Sequence, residues 1–235
     1  MPDKRLIVAL DLPRVDEARR MVDVLDEEAS FFKIGHQLAY SPGGFEFAAE
    51  LAKTHDVFLD LKLLDIANTV EHGVRSVAAM GVSMLTVHAY PQALAAAAKG
   101  AEGSDLAILA VTVLTSMDDD DLKEAGYAHD AELLVKRRAL QAYDAGVGGI
   151  VCSPLEAEAV REIVGPVASV VTPGIRPMGV DGTDQKRIAT PYEALESGAS
   201  HIVVGRPITG APNPAGAARR ILSELTEYDA DQEEA

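Results

Sequence analysis

The sequence predicts a single (β/α)8 barrel of the TIM-barrel type, and three observations support this fold class. The chain has 235 residues, which is enough for one large core but short for two ordinary domains and a linker. Short β-branched runs alternate with Ala-, Glu- and Leu-rich stretches of helical period about every 25 to 30 residues. The runs are nearly continuous in apolar residues, as expected for parallel strands buried on both faces. Residues 1–228 are therefore predicted to form one α/β domain.

Eight apolar runs are predicted as strands, each followed by a helical stretch. Two helix starts support this segmentation, because Ser153 to Glu156 and Thr190 to Glu193 each combine an N-cap, a first-turn proline and a reciprocating glutamate. An open, doubly wound sheet is the alternative, but it would need a glycine-rich turn where the chain has Leu12 to Arg14. The predicted strands are Leu6 to Asp11, Phe31 to Gly35, Val57 to Leu63, Met84 to His88, Ala107 to Leu114, Gly149 to Cys152, Ser169 to Thr172 and His201 to Gly205.

Two segments do not follow the alternation of strands and helices. Residues Pro173 to Gln185 form a glycine-rich connection that is too long for an ordinary turn after a strand. On a barrel this connection lies at the catalytic face, so we expect a mobile lid. Residues 229–235 are acidic and lack a helix cap, and we expect them to form a frayed, disordered tail.

Composition excludes several classes of function. The 37 acidic and 21 basic residues give a net charge of −16, which repels nucleic acid and anionic lipid. Cys152 is the single cysteine, so no intramolecular disulfide is possible, and no Cys/His spacing indicates zinc. The sequence has no apolar run of about 20 residues and no signal-peptide core at its start. We therefore expect a cytoplasmic protein that binds neither nucleic acid nor membrane.

Charged side chains gather at the ends of the first three predicted strands. Asp60 and Lys62 lie two residues apart on one strand, so both point into the barrel. Lys33 and Asp11 end the neighbouring strands at the same rim, and Asp65 follows where the third strand becomes a loop. Buried charges of alternating sign stabilise one another, whereas an isolated buried charge would be costly. A purely structural ion network is the alternative, but five charges at strand ends favour a catalytic site.

A second pattern predicts an anion site after the eighth strand. The run Ile202 to Val204 is apolar and delivers Gly205 and Arg206 to the carboxyl-terminal rim. In this fold that position often binds phosphate, through a backbone N–H and an arginine fork. A Gly-Arg pair alone is weak evidence.

The charged strand resembles a known family. Asp60-Leu61-Lys62-Leu63-Leu64-Asp65-Ile66 is similar to the D-x-K-x-x-D-I motif of orotidine 5'-monophosphate decarboxylase. The resemblance covers nearly the whole chain, and the tail is the part that departs from it. Further matching segments occur in the same order and spacing, namely Ala9-Leu10-Asp11, Phe32-Lys33-Ile34-Gly35, Leu114-Thr115-Ser116, Thr172-Pro173-Gly174-Ile175-Arg176, Asp184-Gln185 and Val204-Gly205-Arg206.

The resemblance implies a homodimeric enzyme of pyrimidine synthesis that converts orotidine 5'-monophosphate to uridine 5'-monophosphate and CO2, without a metal or organic cofactor. It implies that Lys62 is the proton donor and that Asp60 lies beside the substrate carboxylate. Asp11 and Lys33 would contact the ribose, and Lys33 and Asp65 would complete the catalytic set.

The resemblance also implies a site shared between two subunits, because Asp65 and Thr69 would reach into the partner's site. Thr115 would lie near the pyrimidine. The phosphate end would be contacted by Gln185, as a bridge from the lid, and by Arg176, Gly205 and Arg206.

Two other functions remain as alternatives. Metal-dependent relatives that act on sugar phosphates share the D-x-K-x-x-D pattern, but they carry an acid for Mg²⁺ where this chain has Lys33. A non-catalytic sensor of a phosphorylated ligand could retain the barrel, but it could dispense with Lys62 and Asp60.

Overall fold

Eight parallel strands close into a barrel in the computed structural model, which describes residues 2–177 and 188–234. Each strand pairs with the next, and β1 pairs with β8 to close the ring. This confirms the predicted (β/α)8 fold. The strands are β1 (Leu6–Ala9), β2 (Phe31–Gly35), β3 (Asp56–Leu63), β4 (Met84–His88), β5 (Ala107–Val111), β6 (Gly149–Val151), β7 (Ser169–Thr172) and β8 (His201–Val204).

Helices follow the strands and surround the barrel. The predicted caps are present, because Ser153 and Thr190 each form a reciprocal capping box with the glutamate three residues later. Ser153 opens a short 3-10 helix, Pro154–Glu156. The described α-helices are α1 (Val15–Leu25), α2 (His36–Ala39), α3 (Gly44–Leu51), α4 (Ala67–Ala78), α5 (Pro91–Ala101), α6 (Asp119–Glu124), α7 (Ala131–Asp144), α8 (Ala157–Val164), α9 (Pro191–Glu196), α10 (Arg206–Thr209) and α11 (Pro214–Glu234).

The strands bury both of their faces, which explains their nearly continuous apolar sequence. In β1, Leu6 and Val8 pack outward against the helices, whereas Ile7 and Ala9 pack inward with Phe31 and residues of the other strands. All four residues of β1 are buried. This inner apolar layer fills the lower barrel, so the open space lies above it, at the carboxyl ends of the strands.

Several strands end earlier than the apolar runs suggested. Strand β1 stops at Ala9 and β5 stops at Val111, although the apolar character continues to Leu10 and to Leu114. Beyond each of these ends the backbone makes one further inter-strand bond, from the Leu10 N–H to the Lys33 carbonyl at 2.9 Å and from the Thr112 N–H to the Val151 carbonyl at 3.2 Å. Asp11 therefore lies in a loop and not on a strand.

The carboxyl-terminal segment differs from the prediction of a disordered tail. Helix α11 continues to Glu234. Arg5 binds Asp229 through two hydrogen bonds, of 2.7 and 2.6 Å, and the Tyr192 hydroxyl donates to Asp231 at 2.7 Å. These contacts hold the segment against the rest of the chain, although its acidic sequence predicted that it would fray.

The connection after β7 is described only at its two ends. Ile175 forms an isolated β-bridge with Ala189, and the Arg176 N–H donates to the Ala189 carbonyl at 2.9 Å. The two ends of the connection are thus held together at the rim. The greater part of the predicted lid, including Gln185, lies outside the described residues.

Candidate active site

Strand β3 carries the two central charged residues, but it does so with an irregular backbone. The pairing of β3 with β4 shifts register between Leu59 and Leu63. Within this bulge Lys62 has a φ of 46°, which makes it the one non-glycine residue with positive φ among those described. A left-handed conformation costs a non-glycine residue roughly 1–2 kcal/mol. The regular backbone of the strand inferred from sequence is therefore interrupted by a bulge at Lys62.

Four charged side chains form a continuous chain of alternating sign. Lys33 Nζ donates to Asp11 Oδ1 at 2.9 Å and lies 3.6 Å from Asp60 Oδ2. Lys62 Nζ donates to the other oxygen of Asp60, Oδ1, at 2.7 Å. The structure thus brings together the Asp-Lys-Asp-Lys array anticipated from the strand ends. Asp65, the fifth charge, is not part of it.

The inner members of the array, Lys33 and Asp60, are largely removed from water, whereas the Asp11 side chain is 52% exposed. Lys33 is only 7% exposed. Burial alone would raise the pKa of Asp60, but the neighbouring charges of Lys33 and Lys62, with hydrogen bonds from Lys62 and Thr86, outweigh it and lower the pKa. Asp60 therefore stays ionised at neutral pH, and both ammonium groups keep a fixed counter-charge.

The array lines a cavity of about 590 Å³ at the carboxyl ends of the strands. Of the predicted site residues, those that line it are Asp11, Lys33, Asp60, Lys62, Thr115, Arg176, Gly205 and Arg206. The volume lies within the range of ordinary small-molecule sites. A ligand with one anionic end and one polar ring would find both the charge array and two arginines in this lining.

The Gly205–Arg206 end of the cavity is built from the chain that follows β8. Gly205 precedes the short helix α10, which begins at Arg206. Gly174, which has a φ of 81°, turns the chain after β7 and places Arg176 at the same cavity. Arg176, Gly205 and Arg206 thus line the same cavity, and these are the residues expected to bind phosphate.

The residues after β5 form another wall. Val111, Val113 and Leu114 line the cavity together with Thr115 and Ser116. Thr115 is only 9% exposed. This wall combines apolar surface with two hydroxyl groups, a combination suited to one edge of a planar heterocycle.

Asp65 and Thr69 lie apart from this cavity within the chain. Both are exposed, Asp65 on the loop after β3 and Thr69 in the first turn of α4. The apolar side chains on each side of Asp65 are also exposed, Leu64 at 52% and Ile66 at 70%. One chain therefore does not unite these two residues with the charge array.

Two residues that sequence reasoning did not single out support the array. The Thr86 hydroxyl of β4 donates to Asp60 Oδ1 and accepts the Lys62 backbone N–H, both at 2.9 Å. A Cβ on Gly35 would lie 2.9 Å from Asp11 Oδ1 and 3.0 Å from Lys33 Nζ, so a side chain there would press on this pair. A threonine in an apolar strand gives no signal of such a role, whereas a glycine ending a strand is a recognisable sign of close approach.

Two features of the described residues bear on partners. Residues 2–177 and 188–234 contain no group of three or more His, Cys, Asp or Glu side chains arranged to hold a metal ion. In the same part of the chain, no helix is long and apolar enough to cross a membrane.

Comparison with known proteins gives a consistent result. Residues 4–221 match the model of the orotidine 5'-phosphate decarboxylase / HUMPS family. The crystal structure of orotidine 5'-phosphate decarboxylase from Lactobacillus acidophilus is 37% identical and superposes with a TM-score of 0.81, covering 94% of this chain and 99% of its own. An uncharacterized conserved protein from Geobacillus kaustophilus is 32% identical with a TM-score of 0.80, covering 93% of this chain and 99% of its own. With its barrel, its charge array and this match over nearly its full length, the chain belongs to the orotidine 5'-phosphate decarboxylase / HUMPS family.

Proposed function

We propose that this chain decarboxylates orotidine 5'-monophosphate to uridine 5'-monophosphate and CO2, as a step of pyrimidine nucleotide synthesis, without a metal or organic cofactor. The observation that carries the proposal is the alternating chain Asp11–Lys33–Asp60–Lys62 at one wall of the cavity. Family membership and the resemblance to the Lactobacillus enzyme support it.

The reaction needs an electrostatic catalyst. Breaking the bond between C6 and the carboxylate releases CO2 and leaves an electron pair in the ring plane at C6, where the ring π-system delocalises it poorly. With no cofactor as electron sink, a fixed positive charge must stabilise that pair. In this proposal the Lys62 ammonium stabilises the pair and then transfers one proton to C6. Solvent returns a proton to the Lys62 amine.

Asp60 has two roles in this proposal. Its carboxylate holds the Lys62 ammonium through a 2.7 Å hydrogen bond, which fixes the proton donor before substrate arrives. It would also lie beside the substrate carboxylate, where like charges repel until CO2 leaves. Asp11 and Lys33, paired at 2.9 Å, would bind the ribose hydroxyls.

The remaining contacts would bind the two ends of the substrate. Thr115 would contact the pyrimidine, and Arg176, Gly205 and Arg206 would bind the phosphate. Gln185 would join the phosphate from the lid. Phosphate binding would then help to assemble the site, since energy from a remote group can be used to order the reacting groups.

We further propose that the active enzyme is a homodimer with shared sites. Asp65 and Thr69 lie outside the cavity of their own chain, on a surface where Leu64 and Ile66 are exposed. A second copy packed on this surface would bury the apolar side chains and bring Asp65 and Thr69 to its partner's cavity. The exposed apolar residues beside Asp65 support this arrangement.

A metal-dependent reaction on sugar phosphates is the second candidate, because relatives of that kind share the D-x-K-x-x-D pattern and the matching family model is named for a second group, HUMPS, as well. The position at which those relatives carry a Mg²⁺ ligand is held here by Lys33. Its ammonium group lies between Asp11 and Asp60. A fixed cation at that point repels a divalent metal, so this candidate is the weaker one.

The test is incubation of the purified chain with orotidine 5'-monophosphate, with and without EDTA. We expect the substrate absorbance to fall, with uridine 5'-monophosphate and CO2 as products, at the same rate in both samples. A parallel incubation supplies a keto-sugar phosphate with Mg²⁺. Turnover that stops in EDTA and returns with Mg²⁺, or turnover of the sugar phosphate alone, would reject the proposed function.

A further inference from the structure

Thr86 makes two hydrogen bonds that connect the backbone of Lys62 to the carboxylate of Asp60. It lies in β4 and its side chain is fully buried, with 0% exposed. Its Oγ1 accepts the Lys62 N–H at 2.9 Å and donates its single proton to Asp60 Oδ1 at 2.9 Å. A hydroxyl has one proton to donate, so the direction of both bonds is fixed.

The backbone bond falls where the strand ladder is broken. Leu59 pairs with Leu85 and Leu63 pairs with Val87, so the β3 segment between these pairs is longer than the β4 segment facing it. Lys62 lies in that excess segment with its φ of 46°. The Thr86 hydroxyl therefore accepts the hydrogen bond of the Lys62 N–H, which lies outside the regular ladder.

The hydrogen bond from Thr86 to Asp60 affects the same lysine through its ammonium group. Asp60 Oδ1 accepts both the Thr86 hydroxyl and Lys62 Nζ, the latter at 2.7 Å. One hydroxyl thus fixes the backbone from which Lys62 extends and the carboxylate that holds its ammonium. We propose that Thr86 is a positioning residue that holds Lys62 and Asp60 in the arrangement required for decarboxylation. This proposal rests on the proposed function.

A purely structural role for a buried threonine is the competing explanation, and the chain offers a matched control. Thr112 follows β5 and is 1% exposed. Its hydroxyl donates to the Val151 carbonyl at 3.1 Å, and neither the charge array nor the lining of the cavity includes it. If buried threonines matter here only for packing, Thr86→Val and Thr112→Val will behave alike.

The kinetic test compares Thr86→Val, Thr86→Ser and Thr112→Val on orotidine 5'-monophosphate. We expect Thr86→Val to lower kcat by about 100-fold, since misplacement of reacting groups by about 1 Å can cost this much. KM should change by less than about threefold, because the substrate contacts remain. Thr86→Ser, which restores the hydroxyl, and Thr112→Val should keep kcat within about threefold of the parent. If Thr86→Val does not fold, Thr86→Ala takes its place.

Crystal structures of Thr86→Val and Thr86→Ser provide a readout that needs no turnover. We expect the valine variant to lose the positive φ of Lys62 or the contact between its Nζ and Asp60, and the serine variant to keep both. A Thr86→Val enzyme with the parent's kcat, or with Lys62 unmoved, overturns the inference. If the parent does not decarboxylate orotidine 5'-monophosphate, the proposed function fails, and the two structures alone decide the role of Thr86.

Discussion

At the scale of single residues, the site depends on how Asp60 keeps its charge between two ammonium groups. Lys33 lies 3.6 Å from one carboxylate oxygen and Lys62 lies 2.7 Å from the other. Replacing either lysine would leave the buried Asp60 carboxylate with only one of these two ammonium groups, which costs more than losing an exposed ion pair. The array is therefore sensitive to any change in one of its members.

The lowered pKa of Asp60 predicts how the stability of the protein responds to acid. Burial would raise this pKa from its ordinary value of 3.8, but Lys33 and Lys62 lower it overall. A carboxyl group with a depressed folded-state pKa stabilises the fold above its unfolded pKa and loses that contribution as the pH falls through the folded value. We therefore expect the parent to be more stable than Asp60→Asn at pH 7.

Denaturant unfolding of both proteins between pH 7 and pH 2 measures this effect. The difference in free energy of unfolding between the parent and Asp60→Asn should shrink below about pH 4. A difference that stays constant over the whole range would show that Asp60 does not titrate as a stabilising carboxylate.

Much of this residue-scale arrangement could be predicted from sequence. A strand that places Asp60 and Lys62 two positions apart directs both side chains inward, and Lys33 in β2 and Asp11 in the loop after β1 supply the next two charges. The bulge at Lys62 could not be predicted, because it arises from the register of β3 against β4. Thr86 gave no signal, since a β-branched residue is ordinary in a strand.

At the scale of secondary-structure elements, strand β2 determines how closely two charged groups approach. Gly35 ends β2, and a Cβ there would reach within 2.9 Å of Asp11 Oδ1 and 3.0 Å of Lys33 Nζ. The φ of Gly35 is −93°, so alanine would strain no backbone. Among the described residues, the atoms within 4 Å of such a Cβ are those of this polar pair.

Gly35→Ala should therefore damage the site more than the fold. We expect kcat/KM for orotidine 5'-monophosphate to fall at least about tenfold, because the displaced pair misplaces the reacting groups, with little change in melting temperature. Gly73→Ala in α4 is the control, since its Cβ would meet nothing within 4 Å. Equal activity of the two alanine variants would show that close approach at Gly35 is unimportant.

The loops after β7 and β8 carry the second element-scale prediction. If Arg206 binds the substrate phosphate, Arg206→Ala should lower kcat/KM. The loss of transition-state stabilisation should be about 3 kcal/mol or more, as for a desolvated, charge-assisted contact. Orotidine without its phosphate should be a poor substrate, and this substitution should hardly change its rate. Arg220→Ala, an exposed arginine on α11, serves as the control.

Steady-state kinetics on the two substrates separate a phosphate ligand from a bystander. Equal proportional losses by Arg206→Ala on the phosphorylated and the truncated substrate would rule out Arg206 as the phosphate ligand.

The sequence predicted the place of Arg206 after β8, because the barrel fold fixes where that loop lies. The bounds of β1 and β5 were predicted too long, since apolar residues continue past the end of pairing.

At the scale of the whole molecule, one chain does not contain all the groups assigned to one site. Asp65 and Thr69 are exposed and do not line the cavity that holds Lys62. Sequence resemblance supplied their predicted place in a partner's site, because patterns within one chain carry no information about which surfaces meet.

Mixing two inactive variants tests the shared site. Lys62→Ala and Asp65→Ala subunits should regain activity when dissociated and reassociated together, because one of the two sites in each mixed dimer receives both intact residues. With random exchange, about a quarter of the parental activity is expected. Mixed dimers that form but stay inactive would contradict the shared site.

The most direct test of the central claim is the turnover of orotidine 5'-monophosphate by the parent and by Lys62→Ala, each in the presence of EDTA. We expect that the parent converts it to uridine 5'-monophosphate and CO2, and that folded Lys62→Ala is slower by at least about 1,000-fold, because the ammonium acts mainly in the transition state. A near-normal rate in Lys62→Ala, or no turnover by the chelated parent, would contradict the account.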